Sequence, residues 1–212
     1  MNIESHSVTA QPSDAPTGRF YVLQPDIYSG GSGHGLTFSN LERLLTPPRR
    51  ILRPAEGGFP VLSELPVLIQ SAQGRPLKDL EGVFSGYWLV SDELKQVFER
   101  HDAEGFAFTP CSVVSADGAS LGDYHLCDVL RVIDVLDESR SKLDIRIGEE
   151  YAKGKHYRIG PGASLAFRER EISEAHVFRT PFSSYVFCDR ELRGAIIDSG
   201  CVGISLEDAA DF

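Results

Sequence analysis

The chain has 212 residues, of which 42% are hydrophobic and 25% charged, and a formal net charge of −10. These values suit a globular protein with a substantial core, and no run reaches the roughly 20 apolar residues that cross a bilayer as a helix. The acidic balance disfavours a nucleic-acid binder, which needs Lys and Arg to neutralise phosphates, and an anionic membrane surface; it favours a basic protein partner.

Residues 1–19 are polar and rich in Pro, Ser and Thr, with no basic segment leading into an apolar run. They read as a disordered tail without a secretory signal, which points to a cytoplasmic protein. Phe20–Gln24 (FYVLQ) predicts a strand ending at Pro25. The glycine-rich Ser29–Gly35 (SGGSGHG) lacks the Gly-Lys-Ser/Thr of a phosphate loop, and its glycines alternate instead of taking a dinucleotide spacing. It reads as a connection. Pro47, Pro48, Pro54 and Pro60 deny a long helix or a central strand, so 36–60 is expected to wrap irregularly over the domain. A strand over Val61–Gln70, broken at Pro66, should follow.

Tyr87–Val90 predicts a buried strand, and Ser91-Asp92 a helix cap. Leu94, Val97 and Phe98 then place one apolar stripe on a short helix. Gly105 ends the helix, and Phe106–Phe108 starts another strand. The C-terminus repeats this construction, with Tyr185–Phe187 as strand, Cys188-Asp189 as cap and a helix from Glu191 through Ile197. Gly200 is the stop and Cys201–Leu206 the returning strand. The sequence leaves open an internal duplication or the chance recurrence of a common unit. Between the two, Val129–Leu136 is apolar on both faces and predicts a central strand. Trp88, the only tryptophan, reads as core.

None of the four cysteines forms a C-x-x-C pair, so they read as packed thiols. His125, Asp128, Asp134 and Asp137 crowd one region, but no metal-ligand or nucleophile-elbow spacing is present. No catalytic, metal or cofactor-binding residue is therefore assigned, and the protein is read as a non-enzyme. The enzymatic alternative is a metal-dependent hydrolase using His125 and Asp128. Arg179, after a core aromatic, reads as an anchor for Asp134 or Asp137.

Three segments carry a resemblance: W-L-V-S-D-E-L-K from Trp88, V-I-D-V-L-D-E-S-R-S from Val132 and H-V-F-R from His176. The second helix unit and G-C-V-G-I-S-L from Gly200 follow. In this order they resemble the eleventh immunity-protein family of bacterial polymorphic toxin systems, over Leu80–Phe212; residues 20–80 show little to match. The resemblance implies a small α+β protein that neutralises a cognate secreted toxin, including nuclease-type effectors, by stoichiometric binding. An effector adaptor or chaperone is the alternative. The expected architecture is one α+β domain over 20–212, a mixed and mostly antiparallel sheet flanked by a few short helices. Exposed acidic and aromatic residues on connections are the candidate contacts with a basic toxin: Asp123, Tyr124, Asp137, Glu138, Glu149, Glu150, Tyr151 and Tyr157.

Overall fold

A computed structural model describes residues 17–26, 33–45, 47–151 and 153–212. The predicted tail therefore lies outside the described residues up to 16, as does the glycine-rich connection up to 32. Gly18 and Arg19, expected in the tail, are held: the Gly18 amide donates to Asp208 Oδ2 at 2.6 Å, and Arg19 pairs with Glu169.

The first strand is β1 (Phe20–Pro25). There follow β2 (Leu36–Phe38), α1 (Leu41–Leu44), β3 (Val67–Gln70), β4 (Leu80–Phe84) and β5 (Tyr87–Ser91). Then come α2 (Asp92–Asp102) and the long pair β6 (Phe106–Ser115) and β7 (Ser120–Val129). The remainder comprises β8 (Asp144–Ile147), β9 (Lys155–Arg158), α3 (Glu169–Ile172), β10 (Val177–Arg179), β11 (Val186–Asp189), α4 (Arg190–Ser199) and β12 (Ile204–Asp208). The class is α+β, with mixed and mostly antiparallel sheets, as the sequence predicts. Among the described residues no helix is long and apolar enough to cross a membrane.

The chain divides into two compact units. Unit 1 comprises Met1–Leu23, Arg131–Arg193 and Leu206–Phe212; unit 2 comprises Gln24–Leu130 and Gly194–Ser205. In unit 2 a six-stranded sheet runs β2-β3-β6-β7-β5-β4, with only β3 and β6 parallel. Side chains alternate across it. Phe106 stacks on Phe98 of α2 at 4.2 Å, while Leu68, Leu89, Cys111, Val113 and Leu126 point the other way into a buried cluster with Leu36, Leu44 and Leu52. The irregular segment supplies part of that second face, as expected, although it also contains β2 and α1. Helix α2 starts where predicted: Ser91 Oγ accepts from the Leu94 amide at 3.2 Å.

In unit 1 the core is aromatic, built from Phe178 and Phe187 with Leu136, Leu165, Phe167 and Tyr157. Strands β8 and β9 form a separate hairpin sheet. Strand order in the four-stranded sheet is β10-β11-β1-β12. The two strand–cap–helix–strand elements are thus built alike, since β7 separates β5 from β6 and β1 separates β11 from β12. Asp189 caps α4 by accepting from the Leu192 amide at 2.9 Å.

One expected strand does not form. Val129 ends β7, and the rest of Val129–Leu136 makes only isolated bridges, Val132 with Arg179 and Leu136 with Phe167. Leu130 and Val132 are 39% and 49% exposed. Apolar residues on both faces signalled burial, but among the described residues the segment's neighbours meet it only at these two bridges, which do not extend into a ladder.

Candidate functional site

The residues of the hydrolase alternative do not converge. His125 and Asp128 are three positions apart on β7, so their side chains leave opposite faces of the sheet. His125 Nε2 lies 3.1 Å from Asp92 Oδ1, at the start of α2. Asp128 is fully buried and accepts from Arg53 Nε and from the Gly58 amide, each at 2.7 Å. The Tyr87 hydroxyl donates to the Gly58 carbonyl at 2.7 Å, and its ring stacks on Phe59 at 4.3 Å. Burial, and then the Asp128 charge, push this hydroxyl up from its ordinary value. These contacts tie the irregular segment to the sheet. Gly86, with φ of 98°, permits that approach, because a β-carbon there would lie 2.6 Å from Arg53 Cβ. Among the described residues no group of three or more His, Cys, Asp or Glu side chains is arranged to hold a metal.

The candidate contact residues fall into two groups. In unit 2, Asp123 is exposed on β7, opposite Ser112 of β6. Tyr124 points to the other face, half-buried against the leucine-rich cluster. Burial first, then Asp79, Glu81 and Glu93, push its hydroxyl up to about 12. Asp92 lies close in the fold, since the pairing of Ser91 with Tyr124 brings the start of α2 beside Asp123. Its carboxyl is held below its ordinary value by hydrogen bonds from Gln96 and His125.

The second group gathers on unit 1. The β8–β9 hairpin packs on the aromatic core through Ile145 and Tyr157 and carries Glu149, Glu150 and Tyr151 in its loop. Both glutamates are exposed, Tyr151 stacks on His156 at 5.5 Å, and Ile147 is 70% exposed. Glu138 comes to the same hairpin from the preceding turn, where Asp137 precedes it. Glu138 Oε1 accepts from the Tyr157 hydroxyl at 2.6 Å and from Lys155. Burial pushes the Glu138 carboxyl up, but these two hydrogen bonds together with the Lys155 and Arg168 charges outweigh it and hold it below its ordinary value. Asp137 is also held low, first by the Ser139 hydroxyl. Tyr157 differs from the other seven. It is 1% exposed, with its ring in the aromatic core and only its hydroxyl turned to Glu138.

Sequence reasoning missed Arg168. It donates to the Leu136 carbonyl at 2.7 Å and reaches Asp134 Oδ1 at 3.9 Å. It missed Ile69 and Ile147 as well, exposed apolar residues that strand periodicity assigns no outward role. A cavity of about 550 Å³ on unit 1 is lined by Arg19, Glu169, Ser173, Asp189 and Arg190 among others. Arg19 is paired with Glu169, and Asp189 both caps α4 and lies 2.8 Å from His176 Nδ1.

Comparison with known proteins gives one family. The model of the family described as "Immunity protein family (Imm11)" matches residues 19–211. That match takes in β1 through β3, which lie before the resemblance over Leu80–Phe212. No curated protein matches the chain.

Proposed function

The chain belongs to the Imm11 immunity-protein family, and from that premise we propose that it neutralises a cognate secreted toxin in the cytoplasm by stoichiometric binding, without chemistry of its own. The observation that carries this reading is the family match from residue 19 to residue 211, which spans both units. The net charge of −10 supports a basic toxin, of which nuclease-type effectors are the apt class, because opposite fields speed encounter and disfavour wrong partners. Against a hydrolase stands the divergence of His125 and Asp128, the latter already occupied by Arg53 and the Gly58 amide.

Co-expression with the toxin encoded next to its gene tests the proposal, with cell survival and co-purification scored together. Rescue with an equimolar complex is the expected result. A complex that leaves the toxin active would replace immunity with an adaptor or chaperone role, and rescue without a complex would return attention to catalysis. His125→Ala should leave protection intact.

A further inference from the structure

Helix α2 covers only part of one face of the six-stranded sheet. Its 11 residues pack on β5, β6 and β7, with Phe106 and Phe108 of β6 on the helix side. Later β6 residues of the same parity, Pro110, Ser112 and Val114, continue along that face. Register extends the row across the sheet, because Ser112 and Val114 stand opposite Val67 and Ile69 of β3, and Ile69 opposite Thr37 of β2. Asp123 of β7 flanks Ser112. Ile69 is 37% exposed, and Thr37, Pro110 and Asp123 are exposed too.

A solvated sheet face ordinarily alternates to polar residues. This one instead places Val67, Ile69 and Val114 on the side that no helix covers among the described residues. Four strands at about 4.8 Å spacing make it roughly 15 Å across, a size that suits the centre of a protein interface. Its margin is acidic. Asp123 lies at one side, Asp92 at the helix start keeps 41% of its side chain exposed, and Asp117 is exposed in the β6–β7 turn. Lys95, beside Phe108, is paired with Glu99 at 2.8 Å. Unit 2 as a whole has fifteen acidic and eight basic residues, a net charge of −7.

We propose that the uncovered face of this sheet, centred on Ile69 and Val114 and edged by Asp123, is where the toxin docks, through an apolar patch flanked by basic side chains. The proposal rests on the immunity reading above. A second copy of this chain fits the surface less well, because it would bring two acidic margins together. The hairpin on unit 1 is the competing surface, and its mixed charge, with Lys153, Lys155 and Arg158 beside Glu149 and Glu150, complements a basic partner less.

The full chain, the co-encoded toxin and three exposed-site variants decide the matter by calorimetry and co-purification. Ile69→Glu should weaken the complex at least about tenfold, the loss expected of a central apolar contact. Asp123→Arg should weaken it less and flatten the salt dependence of association. Ile147→Glu, on the hairpin, should bind as the parent does. Circular dichroism of each variant checks folding, and Thr37→Arg replaces Ile69→Glu if that variant unfolds. Parent-like affinity in both sheet-face variants would overturn the docking face while leaving the immunity reading standing. A parent dimer that Ile69→Glu dissociates would assign the face to self-association. No complex between the parent and the toxin would overturn both readings.

Discussion

Unit 1 and unit 2 close their interiors by different means. Unit 1 packs rings: Phe167 meets Phe20, Phe178 and Phe187 with centroids 5.0–5.5 Å apart, each pair edge-on. Around them the backbone is joined by short strands and isolated bridges. Unit 2 does the reverse. It has a long ladder, a largely aliphatic cluster and two ion pairs with buried carboxylates, Arg53–Asp128 and Arg75–Glu81. Glu81 is 1% exposed and accepts both Arg75 Nη1 and Nη2, at 2.6 and 2.7 Å. The difference teaches where irregular chain can be tolerated. In unit 1 large rings bury enough area to hold segments that lack a ladder. In unit 2 the irregular segment is held by charged hydrogen bonds to the sheet.

The contrast can be broken at either end. Phe178→Ala should have the largest effect, lowering stability by about 4 kcal/mol through lost transfer energy and a cavity at the ring cluster; urea denaturation followed by circular dichroism measures it. Asp128→Ala should follow at about 3 kcal/mol, because it strands the Arg53 charge and leaves the Gly58 amide without its acceptor. Trp88, buried on β5, reports that loss by fluorescence, and a cost under about 1 kcal/mol would mean that packing alone holds the segment. Ser91→Ala should cost about 1 kcal/mol, since it removes the α2 cap and the donor to Asp79 Oδ1.

The smallest effect sharpens the comparison on the unit 1 hairpin. Glu138 is held below its ordinary value in the folded protein. Its contribution is therefore present above the unfolded carboxyl value of about 4.3 and is lost as pH falls through the lower folded value. Since its side chain is 40% exposed, solvent screening limits the pairing to about 0.5 kcal/mol. Glu138→Gln should remove that part of the acid dependence of stability. An unchanged pH profile would show that Lys155 and Tyr157 do not stabilise the carboxylate.

Much of the local structure was legible because its signals are local. Ser91 before an apolar stripe marks the α2 start, Asp189 marks the α4 start, and Gly200, with φ of 74°, marks the α4 end. The likeness of the two strand–cap–helix–strand elements was visible as well, although only the sheet order shows that each encloses another strand. Of the candidate contacts, the exposure of Asp123, Glu149 and Glu150 agrees with their polar, connection-like surroundings, whereas Tyr157 is inside. A tyrosine in a hairpin presents the same composition whether its ring faces solvent or a phenylalanine core.

By itself the sequence determined the α+β class, the caps and periodicities of the two longer helices, the acidic surface and the family. Each of these depends on residue type or on spacing within a few positions. Tertiary structure alone decided that the chain after Val129 makes only isolated bridges up to Leu136, that His125 and Asp128 part company, and that Ile69 and Val114 share a face that no helix covers among the described residues. Those outcomes depend on which distant strand lies alongside and where α2 stops, and alternation along one strand specifies two faces without specifying what covers either.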